Sequence, residues 1–92
     1  MNRIDCIFSD GKKKIMPFIV AGDPSIEDTE SVLLGLDSAG ADIVEIGIPF
    51  SDPIADGPVI AAAMHRALKR GTTPAHVIGT VSRLREKLSA GI

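Results

Sequence analysis

Ile15 to Ala21 is an almost unbroken apolar run, and a second, Ala41 to Ile46, follows it across one helix-patterned segment. Continuous apolar character at strand length fits strands covered on both faces, as in a parallel sheet. Pro17 has no N–H to give and marks an irregularity or an edge within the first run. Two such strands joined through a helix make a βαβ unit, the constraint that most narrows the fold.

The intervening segment carries its own start and stop. Gly22-Asp23-Pro24 ends the first strand, and Ser25 with Asp28 forms a capping-box-like pair. Glu27 and Asp28 oppose the positive end of the helix dipole. Val32, Leu33, Leu36 and Ala39 recur at helical spacing, and Gly40 is a C-terminal stop. Upstream, Asn2 to Ser9 reads as a short helix with Ile4 and Phe8 one turn apart, closed by Asp10-Gly11 and a solvated Lys12-Lys13-Lys14 turn. Downstream, Pro58 stands at a first helical position and Val59 to Arg70 reads as a helix, with Gly71 closing it. Arg66, Lys69 and Arg70 lie towards that helix's negative end. Thr73-Pro74 opens another helix whose apolar positions are Val77, Ile78, Val81, Leu84 and Leu88. Ser89 to Ile92 looks like a helix end entering a further strand.

The expected fold class is therefore α/β, in the order helix, strand, helix, strand, short helix, helix. Two parallel strands leave open edges and partly covered faces. Residues 1–92 accordingly read as the opening quarter of a larger α/β domain, incomplete in this chain.

Net charge is −2 with both signs interspersed, so no basic face asks for nucleic acid. No apolar run reaches bilayer-spanning length, and the N-terminus MNRIDCIFSDGKKKIM has no apolar signal core. Cys6 is the single cysteine, which suits a reducing compartment and reads as a small packing residue. These features give the expectation of a cytoplasmic protein without a membrane partner.

Glu45 is the residue that needs explaining. Alternation puts Ile43, Glu45 and Gly47 on one strand face and Val44 and Ile46 on the other. No Lys or Arg occurs from Ala41 to Ala63. A carboxylate desolvated without a cation exchanges protons near neutral pH, and α/β folds place their chemistry at the C-terminal ends of strands. The plainer alternative is a Glu that reaches water or is satisfied by backbone donors. Asp56, beside Gly57-Pro58, is either a helix cap or a second acid brought over the strand mouth by a loop stiffened at Pro49, Pro53 and Pro58. Asp52-Pro53 alone is an ordinary turn.

Other candidates are weaker. His65 and His76 lack ligand spacing, so no metal site is expected. The glycines form no nucleotide-binding loop, Ser51 lacks a nucleophile elbow, and the methionines read as core filler.

Pro17-Phe18-Ile19-Val20-Ala21-Gly22-Asp23-Pro24 and the block from Gly40 to Pro58, GADIVEIGIPFSDPIADGP, resemble the N-terminal part of the tryptophan synthase α subunit family. The likeness continues through Arg66-Ala67-Leu68 and Gly71-Thr72-Thr73-Pro74. It implies a (β/α)8 TIM barrel that cleaves indole-3-glycerol phosphate to indole and glyceraldehyde 3-phosphate by a retro-aldol reaction. It also implies a heterotetramer in which a β subunit, the holder of the pyridoxal phosphate, receives the indole. No cofactor is expected in this chain. By motif position the resemblance makes Glu45 the general acid-base at the indole ring and Asp56 the stabiliser of charge at the indole nitrogen. Phe18 would line the indole pocket, and Pro49, Asp52 and Pro53 would face the β subunit. Family chains are longer, and the phosphate-binding loops of the far side are missing here. The resemblance therefore implies a short chain inactive alone, or a non-catalytic module that self-associates or binds a β subunit.

Overall fold

The structure, a computed structural model, describes residues 2–92. Its elements in chain order are α1 (Arg3–Phe8), β1 (Phe18–Val20), α2 (Ile26–Ser38), β2 (Glu45–Gly47), α3 (Pro58–Lys69) and α4 (Pro74–Leu84), with a 3-10 turn at Arg85–Lys87. The strands are parallel, with Phe18 opposite Glu45, Ile19 opposite Ile46 and Val20 opposite Gly47.

The regular strands are shorter than the apolar runs that predict them. Pro17 cannot donate to a ladder, and the N–H of Ile15 goes to the Asp42 carboxylate at 2.9 Å. Extended pairing nevertheless reaches past the regular segment. The carbonyl of Ile15 accepts from Asp42 and Ile43, that of Pro17 accepts from Glu45, and that of Gly47 accepts from Ala21. On the other side of β2, Ile43 forms a parallel bridge with Gly91. Val44 donates to the Gly91 carbonyl at 2.8 Å, and Gly91 donates to the Asp42 carbonyl at 3.0 Å. Residues 90–92 thus begin a third parallel strand, as their sequence suggests.

Helix signals are met closely. Asn2 caps α1 in a reciprocal box with Asp5, Ser25 caps α2 through the Asp28 N–H, and Pro74 stands in the first turn of α4 behind the Thr73 cap. His76 completes that last box by accepting from the Thr73 N–H through its side chain, a capping role not foreseen for it. Leu88 lies outside α4, because the chain tightens into the 3-10 turn first. It is buried all the same.

Leu33, Val44, Leu84, Leu88 and Ala90 form the main core, with Ile19 and Ile46 against it. Each fully buried leucine removes enough apolar surface to contribute about 1.5–3 kcal/mol. Arg3 stitches α1 to this region, donating to the carbonyls of Arg85, Leu88 and Ala90 at 2.9–3.2 Å. The Asp37 carboxylate does the same for α2, accepting from the N–H groups of Ser89 and Ala90 at 3.0 and 2.8 Å. A second cluster, Val20 with Ala63, Met64 and Ala67, seats α3 on the end of β1. Gly22 makes that junction possible. It holds φ at 90°, and a Cβ there would stand 2.1 Å from the Thr72 hydroxyl oxygen.

Several burial expectations are corrected. Ile15, Met16 and Phe18 are exposed, so β1 is not covered on both faces. Two strands with four helices supply no layer for the second face. Cys6 is exposed and not a packing residue, since α1 buries none of its side chains. Met64 fills core as expected, Met16 does not, and Met1 lies outside the described residues. No helix among the described residues is long and apolar enough to cross a membrane.

Candidate functional site at the strand mouth

Parallel register sets Phe18 and Glu45 side by side on one face of the sheet, with Val20 and Gly47 the next pair along it. The Phe18 ring leans over Gly47, where an added Cβ would stand 2.6 Å from its tip. A bare glycine at this point lets the ring lie flat along the sheet beside the carboxylate. Glu45 opens the regular part of β2 and does not terminate it, yet only two residues of that strand follow it.

The Glu45 side chain is exposed, which corrects the desolvation expected of it: this chain supplies one wall beside the carboxylate and no roof. Among the described residues no cation pairs with it. Nor does any described donor satisfy its carboxylate, so of the plainer alternatives the structure holds the Glu that reaches water and not the one tied up by backbone N–H groups.

Asp56 sits on the loop after β2, exposed, and its only role in the local backbone is an N–H bond to the Pro53 carbonyl at 3.4 Å. It is not the cap of α3. Gly57 holds that position, with no side-chain capping bond. Asp52 is also exposed, receives the Ser51 hydroxyl at 3.4 Å, and accepts the Ile54 N–H at its carbonyl. Pro53 is half-buried. Pro49 is buried. Exposed apolar groups on the same loop are Phe50 and Ile54, the latter 94% exposed.

A hollow beside Phe18 is walled by Val32 of α2 and by Val59, Ile60, Asp23 and Arg66. Sequence reasoning missed the contribution of α3 to this wall. A helix was expected over Val59 to Arg70, but not which of its residues meet this hollow. Across the hollow's rim Arg66 grips Asp23 with two bonds, Nε to Oδ1 at 2.8 Å and the guanidinium NH2 to Oδ2 at 2.9 Å. The hydrogen bond from Arg66 holds the Asp23 carboxyl below its ordinary value of 3.8, against the opposing effect of partial burial. Among the described residues no group of three or more His, Cys, Asp or Glu side chains is placed to hold a metal ion.

The family model described as tryptophan synthase alpha chain matches residues 6–91. The chain belongs to this family. A tryptophan synthase alpha chain from Prochlorococcus marinus (strain MIT 9313) is 53% identical over 88 residues, covering 96% of this chain and 32% of the relative. One from Clostridium kluyveri is 50% identical over 91 residues, covering 95% and 35%. Among solved structures, the tryptophan synthase subunit alpha of Legionella pneumophila superposes with a TM-score of 0.85 at 46% identity, over 94% of this chain and 34% of that one. A chain of the tryptophan synthase complex from Pyrococcus furiosus gives 0.74 at 42% identity, over 79% and 30%. The chain thus spans about a third of the length of the tryptophan synthase alpha chains it matches. Its fold is the opening β/α units of their TIM barrel.

Proposed function

We propose that these residues are the N-terminal part of a tryptophan synthase α-type lyase, the enzyme that cleaves indole-3-glycerol phosphate to indole and glyceraldehyde 3-phosphate. The observation that carries this reading is the pairing of Glu45 with Phe18 at the mouth of two parallel strands, in a chain of this family. The flat Phe18 ring offers a stacking or edge surface to an indole. Glu45, unpaired and within the same face, delivers a proton to ring carbon C3; as the C–C bond breaks its electron pair returns to the ring, and the carboxylate left on Glu45 takes the proton of the glycerol hydroxyl, which becomes the aldehyde carbonyl. Asp56 supports positive charge at the indole nitrogen. A β subunit docks over the loop that carries Asp52 and Pro53, within a cytoplasmic heterotetramer, and takes up the indole.

Cleavage also needs a roof over Glu45 and a grip on the phosphate, which residues 2–92 do not provide. The test is a fusion of residues 1–92 to the remaining two thirds of the Clostridium kluyveri relative, assayed for indole release. The expected result is turnover by the fusion and none by the 92-residue chain. A folded fusion without turnover, or a short chain with family-like turnover, would overturn the reading.

One observation favours a second reading, a non-catalytic module that associates with itself. An apolar groove runs along β2 and α4, lined by Ile46, Ile48, Val77, Ile78, Val81 and Ile92. Sedimentation of the 92-residue chain separates the two: a stable dimer supports the module, a monomer removes its basis.

A further inference from the structure

Among the described residues three ion pairs occur, and they differ in kind. Lys14–Asp10 is a contact between near neighbours, and Arg83–Glu30 is a single-point link between α4 and α2. Asp23–Arg66 alone is a two-point fork, and it joins the turn after β1 to the last turn of α3. A single contact sets a distance, whereas a planar fork also sets an orientation.

Helix α3 needs that second constraint. Its buried face is built from Ala63, Met64 and Ala67, short or pliable side chains against Val20 that hold a helix close without locking its rotation. At its N-terminus Gly57 makes no side-chain capping bond, and the first turn is held only by the Ala61 N–H on the Gly57 carbonyl at 3.0 Å and by Ile60 against the Val20 cluster. Asp56 stands two residues before Pro58, the first residue of α3. Proline fixes φ at that point, and only Gly57, held extended at φ −71° and ψ 174°, separates it from Asp56. Val59 and Ile60, in the same first turn, face the hollow that Phe18 borders.

We propose that Asp23 and Arg66 form a positioning pair, which sets the rotation of α3 and through it the place of Asp56 over the strand mouth. This rests on the function proposed above. Arg66 is more than half exposed, so the pair contributes little to global stability, and its effect falls on turnover.

The test uses the fusion protein with Arg66→Gln and Arg66→Lys, each made alone and together with Asp56→Asn. Misplacing a group by about 1 Å costs up to about 100-fold in rate, so a loss of about 10-fold in kcat is expected for Arg66→Gln, with KM within about twofold. Arg66→Lys is expected to restore little, because an ammonium keeps the charge and loses the fork. In the Asp56→Asn background neither change should lower kcat further. Asp23→Asn is the companion variant and should give the same pattern. Unchanged kcat in Arg66→Gln, or the same fold-loss with and without Asp56, would overturn the positioning role while leaving the function intact. A silent Asp56→Asn would overturn the role assigned to Asp56, and the positioning pair with it.

Discussion

At the foot of the sheet, Leu33, Val44, Leu84, Leu88 and Ala90 close into a dry cluster, and Arg3 and Asp37 tie segments more than fifty residues apart. At the mouth, Glu45, Asp52 and Asp56 stand exposed, and the hydrogen bonds of residues 49–57 run within the loop or into the helix that follows. The two ends carry similar residue types but opposite fates for them. The Asp37 carboxylate at the foot is spent on backbone N–H groups, whereas Glu45 and Asp56 at the mouth have no side-chain partner among the described residues. Stability is therefore concentrated away from the mouth, and the exposed groups of the mouth add little to it.

The contrast is sharpest for Leu84→Ala, which empties a fully buried site in the core. A loss of about 2–5 kcal/mol is expected in the urea unfolding of the fusion protein. Asp37→Ala should follow. It leaves the N–H groups of Ser89 and Ala90 without their acceptor and should cost roughly 1–3 kcal/mol by the same measurement. A mouth substitution such as Ile54→Ala removes an almost wholly exposed side chain and should move stability by no more than about 0.5 kcal/mol. If Ile54→Ala costs as much as Leu84→Ala, the two ends are not built differently.

The smallest effect concerns pH. Arg66 lowers the folded-state value of the Asp23 carboxyl below the ordinary 3.8. Its contribution is then complete above 3.8 and is lost as pH falls through the lowered value, since the unfolded chain takes up the proton first. Asp23→Asn should flatten that acid limb of a stability–pH curve and leave the slope near neutrality unchanged. An unaltered acid limb would show that the fork does not hold the carboxyl in solution.

Much of the foot was legible in the sequence, because local rules built it. Ser25, Thr73-Pro74 and Gly40 mark helix ends through single-residue chemistry, and Leu33 and Leu84 follow helical spacing into the core. The strand ends were less legible. Asp42 competes for the Ile15 N–H from 27 residues away, and no window of local pattern contains both. Leu88 keeps its burial but leaves the helix, because a 3-10 turn re-aims it. At the mouth, strand position singled out Glu45 and the family resemblance added Phe18, but pattern describes a face to be covered and not what covers it. Phe18, Ile15 and Glu45 are exposed for that reason. The Asp23–Arg66 fork was invisible, since each residue alone had a sufficient local explanation, a turn for one and a helix dipole for the other.

The most direct measurement pairs rate with stability for Glu45→Gln in the fusion protein. The expected result is a loss of kcat for indole release of about 100-fold or more, with the urea midpoint unchanged, because the proposed function gives this side chain the proton transfer while it is exposed and has no partner among the described residues. Full turnover with Gln at this position, or a loss of rate matched by a loss of stability, would contradict it.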